Sequence, residues 1–418
     1  MIVKSICRGV AAVTAVATAF GLAVGTASAA PHYLSPPSVQ IGYADSATPD
    51  VAYDLTEWQH MPLGAWRDEQ GGEHVSRVYA TFDLSGFAGA DVLGGSMGIR
   101  EASAADCTKR AIEVWQTTPV TATPTWHTRP TGLRKLDESR NSDYCPGEFA
   151  FNVSAAMAAQ GRVTFEIRVP ADVEGDPSYG RTLKWLRGVT LTVRYNSAPS
   201  ILPQYQYNAG FPCDTTAPYR RVGARHGSLQ ALATDPDEDD SEKLTYEFAV
   251  WPLDDPAARL VLTDANGGTT FAGTVNVPDG FLADEGTYSW QVRVSDGVAT
   301  SAWSTTCSFV VDKTDPQPPT VRSDAPNQFT FDGNGNLDTR GFQYTWGIMS
   351  ESGCSYGRHG IVVCPEPFDG PNKVLATTPG GTATVTLTPP HSGFNILKVR
   401  AIDESGRSSD TVDFEYEN

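Results

Sequence analysis

Two serines of this 418-residue chain sit in Gly-x-Ser-x-Gly context, Ser96 between Gly94 and Gly98 and Ser355 between Gly353 and Gly357. A nucleophile elbow needs a strand before the serine, a helix after it, a histidine and an oxyanion hole. Ser96 has strand-like sequence on both sides, and Ser355 adjoins a cysteine expected in a disulfide. Neither is assigned a nucleophilic role. The chain has no His-Glu-x-x-His, phosphate-binding loop or dinucleotide fingerprint, and its seven histidines are not spaced as metal pairs. Paired carboxylates for glycoside hydrolysis meet only in space, so a hydrolase with unrecognised carboxylates stands as a third reading, behind two non-catalytic ones.

Metal chemistry has one better candidate, the acidic run of Asp235, Asp237, Asp239 and Asp240. Ca²⁺ takes six to eight oxygens, and clustered carboxylates in a loop facing a neighbouring domain supply several. The competing reading is a solvated acidic turn. Asp332-Gly-Asn-Gly-Asn-Leu-Asp338 alternates oxygens like a calcium loop, but Leu337 and Gln343 occupy the positions where such a loop needs glycine and an acid. It is expected to be a glycine-rich hairpin turn. For organic ligands the tryptophans matter most, because an aromatic face stacks on a sugar ring while polar side chains orient it. Trp115 and Trp290 alternate in phase with apolar neighbours and are expected in cores. Trp58, Trp66 and Trp126 lie in Pro-, Gly- and Thr-rich stretches expected to be loops, and are the candidate ligand-binding residues; packing under their own loops is the alternative.

These residues must be positioned by strands. Short period-2 runs of β-branched and aromatic residues recur, as in 75–82, 163–169, 189–195, 288–294, 382–388 and 396–401, separated by Gly, Pro, Asn and Asp clusters. Only 153–160 reads as a helical turn. The pattern predicts an all-β chain of three tandem β-sandwiches. Asn196-Ser-Ala-Pro199 and the proline-rich 312–319 divide it into domains at 30–196, 197–313 and 314–418.

Ahead of them, residues 1–29 read as a signal peptide: Lys4 and Arg8, an apolar stretch from Gly9 to about Val24, and Ala27-Ser-Ala29 as a cleavage site. The run is too short and Ala-rich for a membrane anchor, and no second apolar span follows. Its removal takes Cys7 and leaves Cys107, Cys145, Cys213, Cys307, Cys354 and Cys364. An even number in an exported chain points to disulfides. Fifteen pairings are possible, and the order suggests three successive local pairs, one per domain. The remaining 29 basic and 49 acidic residues leave a charge of about −20, which repels nucleic acid and anionic membranes and accommodates cations.

The first domain resembles the DNRLRE family of secreted β-sandwich modules, through Ser76-Arg-Val-Tyr-Ala-Thr-Phe-Asp-Leu-Ser85, Trp115, Thr123-Pro-Thr-Trp-His-Thr-Arg-Pro130, Phe151-Asn-Val-Ser154 and the closing strand into Asn196. The resemblance implies a jelly-roll-like sandwich similar to carbohydrate-binding modules and transfers no binding residues. Thr287-Tyr-Ser-Trp-Gln-Val-Arg-Val-Ser-Asp-Gly297, Ser301-Ala-Trp-Ser304 and Phe309-Val-Val311 resemble the last strands of a fibronectin type III or immunoglobulin-like module. Val399-Arg-Ala-Ile-Asp-Glu-Ser-Gly406 resembles the closing strand and turn of bacterial immunoglobulin-like repeats. The domain order is similar to that of exported actinobacterial multidomain proteins. The expectation is a secreted, extracellular, non-catalytic protein. Its first domain binds a polysaccharide or cell-surface glycan through loop aromatics, with a structural Ca²⁺ as its one cofactor candidate and two immunoglobulin-like spacers behind. The alternative is an adhesin or scaffold for an extracellular protein.

Overall fold

A computed structural model describes residues 32–417, apart from Glu57, 140–143, 159–160, Ala224, 238–242 and 351–352. Residues 1–29, read from the sequence as a signal peptide and containing Cys7, lie outside the described residues, as do Asp239 and Asp240. Among the described residues the chain is all β, with short 3-10 turns such as Ser154–Ala158 where the sequence suggested a helical turn. No helix among them is long and apolar enough to cross a membrane.

The first domain is organised on two long strands. Ala90–Ala104 pairs antiparallel with Val189–Ser197 and then Arg181–Leu183, and with Glu148–Asn152. Glu73–Asp83 is flanked by Ser38–Asp45 on one side and Arg162–Arg168 on the other, and the sheet continues through Ile112–Thr117 to Gly132–Ser139. Met61–Arg67 joins the two halves, pairing with both Arg181–Leu183 and Glu73–Asp83. Alternation sends Val78, Ala80 and Phe82, Val163, Phe165 and Ile167, and Ile112 and Val114 inward. There they meet Met97, Ile99, Phe149, Phe151, Leu191 and Val193. Each of these side chains larger than alanine contributes about 1.5–3 kcal/mol by leaving water.

The second domain places Tyr207–Asn208, Ser228–Ala231 and Gly273–Asn276 in one sheet. The other holds Leu260–Asp264, Thr245–Pro252, Thr287–Ser295 and Cys307–Val311. The third repeats this arrangement with Thr320–Ala325, Gln328–Asp332 and Thr382–Thr386 against Lys373–Leu375, Gly341–Thr345, Phe394–Ile402 and Val412–Glu417. Both are fibronectin III-like sandwiches. Their cores are separate, one around Trp290, Phe248 and Phe309, the other around Phe329, Phe331 and Phe342. The loop 332–338 connects Gln328–Asp332 in one sheet to Gly341–Thr345 in the other. It is therefore a sheet-to-sheet crossover and not the hairpin turn expected.

The cysteines pair as Cys107–Cys145, Cys213–Cys307 and Cys354–Cys364. The last does more than close a loop of its own domain. Its hairpin lies on the second domain, where the Cys364 amide donates to Gly210 O (2.9 Å), Val362 N to Gln230 Oε1 (2.9 Å) and Ala272 N to His359 O (2.9 Å). Gly210 makes room for it. Its φ is +88°, and a Cβ there would stand 2.2 Å from Cys364 Sγ.

Candidate ligand-binding surface

The three loop tryptophans have three different fates. Trp58 is 79 % exposed, with its backbone at φ +69°. A non-glycine residue there costs about 1–2 kcal/mol, offset in part by the Thr56–Gln59 turn, whose side chains bond at 2.9 Å. Its ring leans on that of Trp185, with centroids 4.9 Å and planes 46° apart. Trp185 donates its amide to His60 Nδ1 (3.3 Å), and Leu186 beside it is exposed. Next to this pair runs a groove of about 630 Å³ lined by Gln59, His60, Pro62, Trp66, Arg67 and Thr182.

Trp66 lies on the strand Met61–Arg67, not in a loop. Met61, Leu63 and Ala65 take the core phase, so Trp66 faces outward, half-buried. Its indole N–H donates to Ser76 Oγ (2.9 Å) and its ring stacks on His74 at 4.0 Å. It contributes a wall of the groove and not a free platform.

Trp126 is half-buried with two guanidinium groups over its ring, Arg129 at 3.9 Å and Arg77 at 5.4 Å from the centroid. These contacts are the packing alternative to its reading as a sugar platform. The core assignment of Trp115 is corrected. Val114 takes the core phase, leaving Trp115 on the outer face, where its N–H donates to Glu113 (2.7 Å) and Arg168 lies over its ring at 4.2 Å. Around these rings runs an ionic layer. Arg77 binds Glu174 through two hydrogen bonds (2.7 and 2.8 Å) and Glu166 through a third (3.0 Å), while Arg168 and Lys135 hold Glu113. Burial alone would raise the carboxyl pKa of Glu113, but its bonds to Lys135, Trp115 and Arg168 hold it below the usual range.

Of the acidic run, Asp235 and Asp237 are turned toward the first domain and are not a solvated turn. Asp237 accepts from Ser197 Oγ (2.9 Å) and from the Ser197 amide, and Asp235 accepts from the Asp237 amide (3.0 Å). Burial, then the charges of Asp296 and Asp237, raise the pKa of Asp235. Ser96 lies within the strand Ala90–Ala104, and Ser355 starts a two-residue strand beside Cys354.

Trp185 was not singled out in the sequence. The available signal was a tryptophan in a Lys-, Arg- and Gly-containing connection, Lys184 to Gly188, between two strands.

No known protein family matches this chain, nor does any curated protein. Among solved structures, the FN1–FN3 domains of chicken CNTN1 align at 11 % identity over 86 % of this chain and 100 % of that one, with a TM-score of 0.35. Fibronectin(III)-like modules of Clostridium thermocellum CbhA align at 16 % over 49 % of this chain and 90 % of that one, with a TM-score of 0.25. These scores are too low to carry either protein's role to this chain. The strand order itself defines an all-β protein that includes fibronectin III-like sandwiches.

Proposed function

We propose that this is an exported, non-catalytic binding protein whose first domain, a DNRLRE-like module, holds a polysaccharide or cell-wall glycan. The second and third domains carry that module away from its surroundings. The observation behind the reading is the pair of the exposed Trp58 and the half-buried Trp185 beside the groove of Gln59, His60 and Trp66. Two rings at an angle offer a shallow cradle to a sugar face, and the groove's amide, imidazole and guanidinium groups suit hydroxyls. In support of a non-catalytic role, the clustered carboxylates Glu113, Glu166 and Glu174 are engaged by Arg77, Arg168 and Lys135. The disulfides suit export.

The test is retention of the full chain on a panel of insoluble and immobilised polysaccharides. Trp58→Ala and Trp185→Ala are each expected to abolish retention, with thermal unfolding unchanged. Failure of the unmodified chain to bind any glycan would remove the reading. The alternative, an extracellular protein partner, is favoured by Phe271 and Tyr356. These are 65 % and 80 % exposed, Phe271 on a loop and Tyr356 on the docked hairpin, at or near the contact between the second and third domains.

A further inference from the structure

The start of the strand Met61–Arg67 separates two grooves of the first domain. His60 and Pro62 line the first, of about 630 Å³. Met61, between them in the chain, lines a second of about 590 Å³, together with Leu55, Arg100, Trp185, Arg187 and Thr190. A second segment crosses the same divide. Thr182 belongs to the first groove and Arg187 to the second, with Trp185 on the way. Trp185 is fixed at the crossing by its amide, bonded to His60 Nδ1 (3.3 Å), and by its ring, 4.9 Å from that of Trp58. The tryptophan pair therefore stands between two grooves and not at the closed end of one.

The charged residues lining the second groove are two arginines. Arg100 is held by Glu148 (2.7 Å). Arg187 is exposed, and its side chain has no hydrogen bond or ion pair among the described residues. It sits on a tight connection whose two ends are tied to one residue of the neighbouring strand. Lys184 N donates to Arg100 O (3.0 Å), and Arg100 N donates to Gly188 O (2.8 Å). A Cβ at Gly188 would stand 1.8 Å from Lys184 O, so the turn requires glycine there. Arg187 has φ +52° and Trp58 has φ +69°, both in the left-handed region that L-residues avoid. Such conformations persist only where the surroundings hold them, and they cluster at ligand clamps. A loop set in advance also gives up little freedom on binding.

We propose that the second groove is a further glycan subsite, and that the Trp58–Trp185 pair is the middle of a path leading from one groove to the other. The inference rests on the glycan reading of the first domain and adds the binding mode. The protein holds an interior stretch of a polysaccharide, with sugar units on both sides of the tryptophans, and not a chain end. The rings carry the stacking contact. Arg187, whose guanidinium has five N–H donors, fixes the chain in the second groove by donating to sugar oxygens, and Thr190 adds a hydroxyl beside it.

The full chain is first tested for retention on immobilised cellulose, chitin, xylan, mannan, polygalacturonate and peptidoglycan. Oligosaccharides of increasing length, cut from a retaining polymer, are then titrated calorimetrically. Affinity is expected to rise with length beyond the disaccharide. Arg187→Gly is expected to lose ~10-fold in affinity for the longer oligosaccharides, the effect of one hydrogen bond from a charged group. Glycine accepts the positive φ without strain, so this variant should unfold at or above the wild-type temperature. Thr190→Trp, which fills the second groove, should flatten the dependence on length. Equal affinity for the disaccharide and the longer chains, or an unchanged length dependence in both variants, would overturn the inference and leave the glycan reading in place. Failure of the wild-type chain to be retained by any of the polymers would remove both.

Discussion

The indole of Trp66 and the imidazole of His74 stack at 4.0 Å with their planes 19° apart, and the imidazole bridges Asp45 Oδ2 at 2.6 Å and Asp68 Oδ2 at 3.3 Å. Burial disfavours the charged ring, but the bonds to the two carboxylates outweigh it and raise the pKa of His74 above its usual 6.5. A raised histidine contributes stability that is complete below its unfolded pKa and lost as pH rises through the folded one. Thermal unfolding should therefore drift downward above about pH 6.5. His74→Gln should flatten that drift, and an unchanged profile in the variant would contradict the assignment.

Trp126→Ala separates structure from recognition. The ring lies against Arg77 and Arg129, and Arg129 Nη1 is buried without a hydrogen-bond partner. Removing it should cost about 1–2 kcal/mol in urea unfolding, the scale of desolvated cation–π contacts. Glycan retention should stay at the wild-type level. Loss of retention with unchanged stability would return Trp126 to the binding surface.

Glu101 is the most consequential carboxylate of the first domain. Fully buried, it binds Arg110, Arg181 (3.1 Å) and the Gly147 amide (3.0 Å). Glu101→Gln leaves two buried guanidinium groups without their counter-charge and should cost about 3–5 kcal/mol. The exposed pair Arg67–Glu73, at 2.8 Å, supplies the comparison, since Glu73→Gln should cost less than about 1 kcal/mol. Equal urea midpoints for the two variants would refute the distinction.

The hairpin closed by Cys354–Cys364 couples the second and third domains through Val362, Gln230, Cys364 and Gly210. The double variant Cys354→Ser, Cys364→Ser should raise hydrogen exchange at the Val362 and Cys364 amides, while the cores around Trp290 and Phe331 keep their protection. Unchanged exchange would mean that the docked hairpin holds without its cross-link.

Much of the fold was legible because strand alternation is a local property. Runs such as 163–169 and 288–294 announced half-buried strands, and the cysteines paired in the order in which they occur. Trp66 was expected in a loop and lies on a strand, and Trp115 was expected in the core and lies on the outer face. The outer face of the first domain's sheet is itself covered, with Tyr79, Thr81 and Thr164 almost inaccessible, so alternation there separates an apolar interior from an ionic one and not from water. A tryptophan fits either.

By itself, then, the sequence determined what neighbours along the chain can enforce: strands, turns, the all-β class and the pairing of nearby cysteines. The tertiary structure alone decided what depends on residues far apart in sequence. It set Trp185 against Trp58 and put Arg129 on the face of Trp126. Burial gives such contacts their energy, because charges and rings excluded from water must be answered by whatever the fold places beside them.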